Sequence, residues 1–241
     1  MLHKFTGIVR RCVADYDMIG DGEKVAVGVS GGKDSLALLC ALANLRGFYP
    51  KRFEIHAVTL DMGFPEMDFE PVEKLCAGLG VPYTRRRTDL AHVIFEKRRE
   101  KNPCALCAKM RRGAINDLIM ELGITKIALA HSFDDAVETF MLSLLYEGRI
   151  SCFQPVTYFS RTGVTQIRPM IYAGEGTVRN LVEKLSLPVV HNVCPMNGAS
   201  KREEVKALLK AMSVAYPDLK SKIFGAMQRK PLEGWGKVIT N

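Results

Sequence analysis

From Lys24 to Glu147 the chain alternates short apolar runs with longer segments whose apolar residues recur every three or four positions. Short runs bounded by turn residues read as strands, and the longer periodic segments read as helices. Residues 24–29 predict a first strand and 34–46 a helix. Residues 53–60 predict a second strand, and a helix follows near 69–79. Val81 to Arg86 predicts a third strand, with helices over 90–100 and 105–122 after it. Residues 126–130 predict a fourth strand and 133–147 another helix. Strands alternating with helices predict a Rossmann-like α/β fold, a parallel sheet wrapped by helices through right-handed crossovers. Ligands in such sheets bind at the carboxyl ends of the strands. That rule gathers Ser30 to Ser35, Asp61 and His131 to Asp135 around one crevice.

Past Gly148 the alternation loosens. Cys152 to Gly163 reads as loop or hairpin, and Thr165 to Arg168 as a short strand stopped by Pro169. Residues 175–185 predict a helix, and Pro188 to Val190 a short strand. Two helices are expected near 200–213 and 217–227. The first opens with Ser200 and, three residues on, Glu203, which is capping-box spacing. No internal repeat or low-complexity linker interrupts the chain. The expectation is a single domain over 1–241, with a helical N-terminal segment (1–22), an α/β core (23–190) and a helical C-terminal segment (191–241).

Composition narrows the class. A chain of 241 residues can bury on the order of 70–75% of its unfolded surface. Its apolar runs fall short of the ~20 residues that a membrane span needs. Met1 to Thr6 has no apolar stretch suited to a secretory signal. A cytoplasmic protein with no membrane partner is expected. Seven cysteines in a reducing compartment point to metal or redox chemistry more than to disulfides. The net charge of +8 is concentrated. Arg85, Arg86, Arg87, Lys97, Arg98, Arg99, Lys101, Lys109, Arg111 and Arg112 face only Asp89, Glu96 and Glu100 over residues 85–112. Such a patch suits a phosphate backbone, whose neutralisation releases counterions, or is simply a solvated face.

Ser30-Gly31-Gly32-Lys33-Asp34-Ser35 lies between a strand and a helix. A helix N-terminus offers unpaired N–H groups and a partial positive charge to a phosphate. Two glycines let the backbone approach an anion. The common P-loop requires glycine five positions before Gly-Lys and Ser or Thr after it; here Val27 and Asp34 stand there. A carboxylate beside phosphates calls for a bridging cation, so Asp34 suggests Mg²⁺ on a polyphosphate. Cys104-Ala105-Leu106-Cys107 can chelate a metal, form a redox pair or carry a persulfide, and Cys194 is a third thiol after a short apolar run. Cys12, Cys40 and Cys76 sit in helical apolar settings and read as small core residues.

SGGKDS resembles the PP-loop of ATP pyrophosphatases, which split ATP between the α- and β-phosphates. The set widens with Val58-Thr59-Leu60-Asp61, Cys104-x-x-Cys107 with Arg111-Arg112-Gly113, Ala130-His131-Ser132-Phe133-Asp134-Asp135, Ile167-Arg168-Pro169 and Cys194. In that order, over about residues 8 to 229, the chain resembles the tRNA 2-thiocytidine synthetases, which thiolate a cytidine of the anticodon loop. It departs from their pattern at Ala130 and Ser132, and after Cys194 at Pro195 to Gly198.

The resemblance implies ATP, Mg²⁺ and a 4Fe–4S cluster as cofactors. The cluster would be held by Cys104, Cys107 and Cys194; the residues alone leave a structural zinc site with His191 open. Ser30, Gly31, Gly32, Lys33, Asp34, Ser35, Thr59, Leu60, Asp61, His131 and Asp134 would bind ATP. Lys33, Asp34, Arg111 and Asp135 would be catalytic, and Arg98, Arg99 and Arg112 would contact RNA. The implied partners are tRNA and a sulfur donor, a persulfide carrier or sulfide, with a homodimer as the candidate assembly. Two other readings remain: an amide-forming PP-loop ligase such as a lysidine synthetase, and a non-catalytic nucleotide- or RNA-binding protein with structural zinc.

Overall fold

The computed structural model describes residues 1–98, 103–191, 193–196 and 201–229. It divides into two compact units: Met1–Phe133 with Phe153–Gly198, and Asp134–Cys152 with Ala199–Asn241.

The first unit is built on a six-stranded sheet. In chain order its elements are α1 (Leu2–Asp15), β1 (Glu23–Gly28), α2 (Lys33–Leu45), β2 (Phe53–Asp61), α3 (Glu70–Gly78) and β3 (Tyr83–Arg87). Then come α4 (Leu90–His92), which runs into a π-helical turn (Val93–Arg98), α5 (Pro103–Glu121) and β4 (Lys126–Ala128). After α6 (Phe133–Glu147), whose residues from Asp134 belong to the second unit, the first unit resumes. It continues with β5 (Val156–Phe159), β6 (Val164–Ile167) and α7 (Glu175–Lys184).

The strand order is β3-β2-β1-β4-β6-β5, with every pairing parallel except the β5–β6 hairpin. β1 and β4 are neighbours whose connections run to opposite sides, so the order reverses between them. Their register pairs Val25 with Lys126 and Val27 with Ala128. The crevice expected of such a sheet opens beyond the carboxyl ends of these two strands, where the SGGKDS loop and His131 follow.

The central strand is apolar because both faces are covered; Val25, Ala26 and Val27 are fully buried. Helix α2, which carries the loop's lysine, packs on α1 and α7. Its Leu36, Leu38, Leu39, Leu42 and Leu45 are fully buried. Removing one such leucine to alanine costs about 2–5 kcal/mol, so the loop is anchored on one of the firmest parts of the core. Helix α1 meets α2 with a single stripe, Phe5, Val9, Cys12 and Val13, the spacing of an amphipathic helix.

The second unit holds α6 from Asp134, α8 (Lys201–Ala215) and α9 (Leu219–Gln228). Val205 and Leu209 are the buried stripe of α8.

Three sequence expectations change. Pro188 to Val190 is not a strand; the Val190 N–H is taken by the Gly31 carbonyl at 3.0 Å instead of a sheet ladder. The helix expected over 90–100 is a short α-turn followed by a π-turn. The fourth strand ends at Ala128, two residues before the expected end, although the Leu129 N–H still bonds the Ile167 carbonyl of β6 at 2.9 Å. Ser200, the expected cap of α8, lies outside the described residues. No described helix is long and apolar enough to cross a membrane.

Candidate active site

The SGGKDS loop is wound on its own serines. The Ser30 N–H donates to Ser35 Oγ at 3.1 Å, and Ser35 Oγ donates to the Gly32 carbonyl at 2.8 Å. Gly32 is the N-cap of α2 and no side chain caps that helix. The first-turn amides therefore face the crevice with the helix's positive end, the arrangement that suits a phosphate. Thr59 is fully buried and donates its hydroxyl to the Val29 carbonyl at 2.7 Å. It holds the strand end from which the loop springs. Leu60 follows on β2 at half-burial.

Lys33 Nζ stands 2.9 Å from Asp34 Oδ2 and 3.7 Å from Glu175 Oε1. An ammonium between two carboxylates occupies the kind of position that a divalent cation takes beside a polyphosphate. Asp34 and Glu175 are thus the residues that fit Mg²⁺. Glu175, in the first turn of α7, was not singled out by the sequence. A carboxylate opening a helix is normally read as a favourable dipole partner, and only the fold brings it to Lys33.

Asp61 is 2% exposed and accepts from Arg85 Nε at 3.0 Å and Nη2 at 2.5 Å. The Gly63 N–H also donates to it at 2.9 Å. Arg85 stacks 4.9 Å above the Phe69 ring, and Arg86 pairs with Glu121. Two members of the basic run are therefore committed within the fold, whereas Lys97, Arg98, Lys109, Arg111 and Arg112 are exposed. Arg112 also reaches over the Phe159 ring at 5.9 Å. Arg99 lies outside the described residues.

Cys104 and Cys107 lie in the opening turns of α5, Cys104 exposed and Cys107 half-buried. Burial pushes the Cys107 thiol up, Arg111 draws it down by charge and a hydrogen bond, and the Cys194 and Cys104 sulfurs push it up again. The three thiols are thus electrostatic neighbours. As placed, no three described His, Cys, Asp or Glu side chains form a metal-holding group. The donor set, three accessible sulfurs with an arginine beside them, fits a thiolate-bound iron–sulfur centre. Cys12, Cys40 and Cys76 are buried as expected. Burial raises their thiols to about 12, 11 and 11 respectively.

His131 follows β4, and its ring lies 4.8 Å from that of Phe153. Arg168, 6% exposed, covers the same Phe153 at 4.9 Å. Its guanidinium donates to the Gln154 carbonyl at 2.6 Å and to Thr157 Oγ1 at 3.0 Å. Arg168, part of the Ile167-Arg168-Pro169 motif, so fixes the ring on which His131 rests. Asp134 and Asp135 belong to the second unit. Lys220 Nζ is 2.6 Å from Asp134 Oδ1, and Arg202 Nη1 is 3.0 Å from Asp135 Oδ1. Glu138 beside them is buried, which raises its carboxyl while Arg202 lowers it.

The PP-loop domain family matches residues 4–212. A tRNA-cytidine(32) 2-sulfurtransferase of Syntrophotalea carbinolica is 36% identical over 230 residues, 94% of this chain and 89% of that protein. The protein of the same name from Pelobacter propionicus is 36% identical over 222 residues, 91% and 82% of the two chains. The chain belongs to the tRNA 2-thiocytidine synthetase family of PP-loop ATP-dependent sulfurtransferases. Among solved structures, the U34-tRNA thiolase NcsA from Methanococcus maripaludis with its [4Fe-4S] cluster superposes with a TM-score of 0.76 at 25% identity. It covers 95% of this chain and 79% of that one.

Membership of this thiolase family gives the Asp61–Arg85 pair a testable place as scaffold for the strand end beside the PP-loop. Arg85→Ala leaves a buried carboxylate held by the Gly63 backbone N–H. Arg85 is 38% exposed, so water offsets part of the loss. A destabilisation of about 1–3 kcal/mol is expected, with Arg85→Lys intermediate because it keeps charge but not the fork. Denaturant unfolding measures it; equal stability of all three proteins would mean the pair holds nothing.

Proposed function

We propose that this protein is an ATP-dependent tRNA sulfurtransferase that exchanges the 2-oxo group of a cytidine for sulfur, using a 4Fe–4S cluster held by Cys104, Cys107 and Cys194. The carrying observation is that Cys104, Cys107 and Cys194 are the thiols left accessible in the same unit as the PP-loop, whereas Cys12, Cys40 and Cys76 are buried. An amide-forming ligase would leave those thiols without a role. In this reading the chain works in the cytoplasm as one PP-loop domain.

ATP lays its phosphates on Ser30 to Ser35, with Mg²⁺ on Asp34 in place of the Lys33 contact. The pyrimidine carbonyl oxygen attacks the α-phosphate, and pyrophosphate leaves. Lys33 offsets the charge that builds on the phosphates. A carbonyl oxygen is a very poor leaving group until it carries AMP, which is what the ATP is for. Sulfide then displaces AMP directly; if a persulfide carrier delivers the sulfur, its terminal sulfur displaces AMP and a second thiol of the carrier must break the remaining S–S bond, leaving the carrier as a disulfide. A cluster with one iron not ligated by protein would supply a Lewis-acid site for that sulfur. Arg111, exposed on α5, would offset the phosphate charge together with Lys33. By the family resemblance, Asp135 and Asp134 would orient the base being adenylylated.

Mass spectrometry of tRNA nucleosides from cells with and without the protein tests the reaction. Loss of 2-thiocytidine with the gene is expected; an unchanged nucleoside profile would end the proposal. The exposed arginines make a second prediction. Two phosphate contacts suffice for tRNA affinity to fall about tenfold between 50 and 200 mM salt. Arg98→Glu with Arg99→Glu should weaken tRNA binding and leave ATP binding unchanged, because backbone contacts and the PP-loop are separate sites. Affinity indifferent to salt would remove tRNA as substrate while leaving the ATP chemistry in place.

A further inference from the structure

Gly31 is buried and has φ +83°, a left-handed conformation that favours glycine. Its carbonyl accepts the Val190 N–H at 3.0 Å. A Cβ on Gly31 would stand 2.8 Å from both Cβ and Cγ2 of Val190, and 3.5 Å from the Phe69 ring. The loop glycine is therefore wedged between Phe69 and Val190, with no room for a side chain. Val190 lies on the irregular segment after α7, four residues before Cys194. The backbone of the phosphate loop and the strand of chain that carries the third thiol thus share a hydrogen bond and a tight van der Waals contact.

The peptide plane makes this contact consequential. The Gly31 carbonyl and the Gly32 N–H belong to one planar trans unit and point in opposite directions. Holding the carbonyl on Val190 sets the direction of the Gly32 N–H, which in this state reaches back to Ser30 Oγ at 3.3 Å. That bond is long and easily exchanged for a phosphate oxygen. A phosphate that draws the Gly32 N–H turns the shared plane, and the Gly31 carbonyl moves with it against Val190.

We propose that Val190 is a positioning residue that links the PP-loop to Cys194, so that a nucleotide on the loop changes the placement of the Cys194 thiol. The proposal rests on the reading above, in which the loop takes ATP and Cys194 is a cluster ligand. Linkage makes the effect reciprocal: whatever factor nucleotide exerts on Cys194, occupancy at Cys194 exerts on nucleotide affinity. Such a link makes ATP use and sulfur delivery depend on one another, which matters for an adenylylated base that water would otherwise hydrolyse.

The test uses the full chain, cluster-free and reduced under anaerobic conditions. Iodoacetamide labelling of each cysteine is followed by peptide mass spectrometry, with and without Mg²⁺ and a non-hydrolysable ATP analogue. Nucleotide binding is measured on the same samples. The Cys194 labelling rate is expected to change at least about fivefold, the low end of ordinary site-to-site coupling, while Cys152 in the second unit serves as the unchanged reference. Val190→Ala keeps the N–H but loses the side-chain wedge, so part of the response remains. Val190→Pro removes the donor and should abolish the response. Should Val190→Pro fail to fold, a reduced response in Val190→Ala carries the test. Nucleotide binding with unchanged Cys194 labelling in the wild type overturns the link and leaves the ATP reading intact. A response of wild-type size in both variants removes Val190 from it. No nucleotide binding in the wild type sinks the PP-loop reading and this inference together.

Discussion

Asp34→Ala is expected to stop pyrophosphate release from ATP while the protein stays folded. Asp34 sits in the first turn of α2 and pairs with Lys33 at 2.9 Å, both side chains about a third exposed. An exposed pair of that kind contributes ~0–1 kcal/mol. A carboxylate near a helix N-terminus adds about 0.3–1 kcal/mol. The stability cost is therefore small. The catalytic cost is not, because in the proposed reaction Asp34 would hold Mg²⁺ where charge develops. Removing one preorganised group of this type lowers turnover by about 100- to 1,000-fold. Pyrophosphate release measured alongside thermal unfolding separates the two costs. Unchanged pyrophosphate production by a folded Asp34→Ala protein would sink the assignment of the loop.

The second large effect concerns the thiols. Replacing Cys104, Cys107 or Cys194 by alanine should remove most of the iron and acid-labile sulfide from anaerobically purified protein. Replacing Cys12 or Cys76 should not. The contrast has a physical basis. Cys104 is exposed and Cys107 and Cys194 are half-buried, whereas burial hides Cys12 and Cys76 from a cluster and lifts their thiols to about 12 and 11. Both stay protonated near neutral pH, and both pack inside α1 and α3. Their alanine variants lose packing and a little stability, not metal. A Cys194→Ala protein with its full complement of iron and sulfide would show that the ligand set is wrong. Zinc in place of iron in the wild type would favour a structural site instead.

The order of elements was largely legible in the chain, and the reason is locality. The strand–glycine loop–helix at the N-terminal end of the core depends on residues within a few positions of each other. Val25 to Val27 are buried on both faces, the two glycines permit the turn, and the leucines of α2 recur at helical spacing. The core cysteines were recognised by their apolar neighbours, and the exposed pair by its spacing. Where local signals misled, a distant group had taken the backbone. Pro188-Val189-Val190 has strand composition, but the Val190 N–H belongs to Gly31, far back in the chain. β-Propensity reports fit to a pleated surface, and no neighbouring strand offers one there.

What the sequence alone determined, then, is the class of fold and the strand–glycine loop–helix, because each is written in short-range patterns of residue type; the three candidate sulfur ligands came from the resemblance to a family. The tertiary structure decided the rest. It set the strand order β3-β2-β1-β4-β6-β5, and with it the reversal beside which the loop opens. It brought Glu175 to Lys33 and paired Arg85 with the buried Asp61. It gave Asp134 and Asp135 to Lys220 and Arg202, partners 86 and 67 positions away. A run of charges says how much charge is present but not which of it is already neutralised. That depends on which distant side chain the packed core leaves within about 4 Å, a distance at which a half-buried pair outweighs its screening by water.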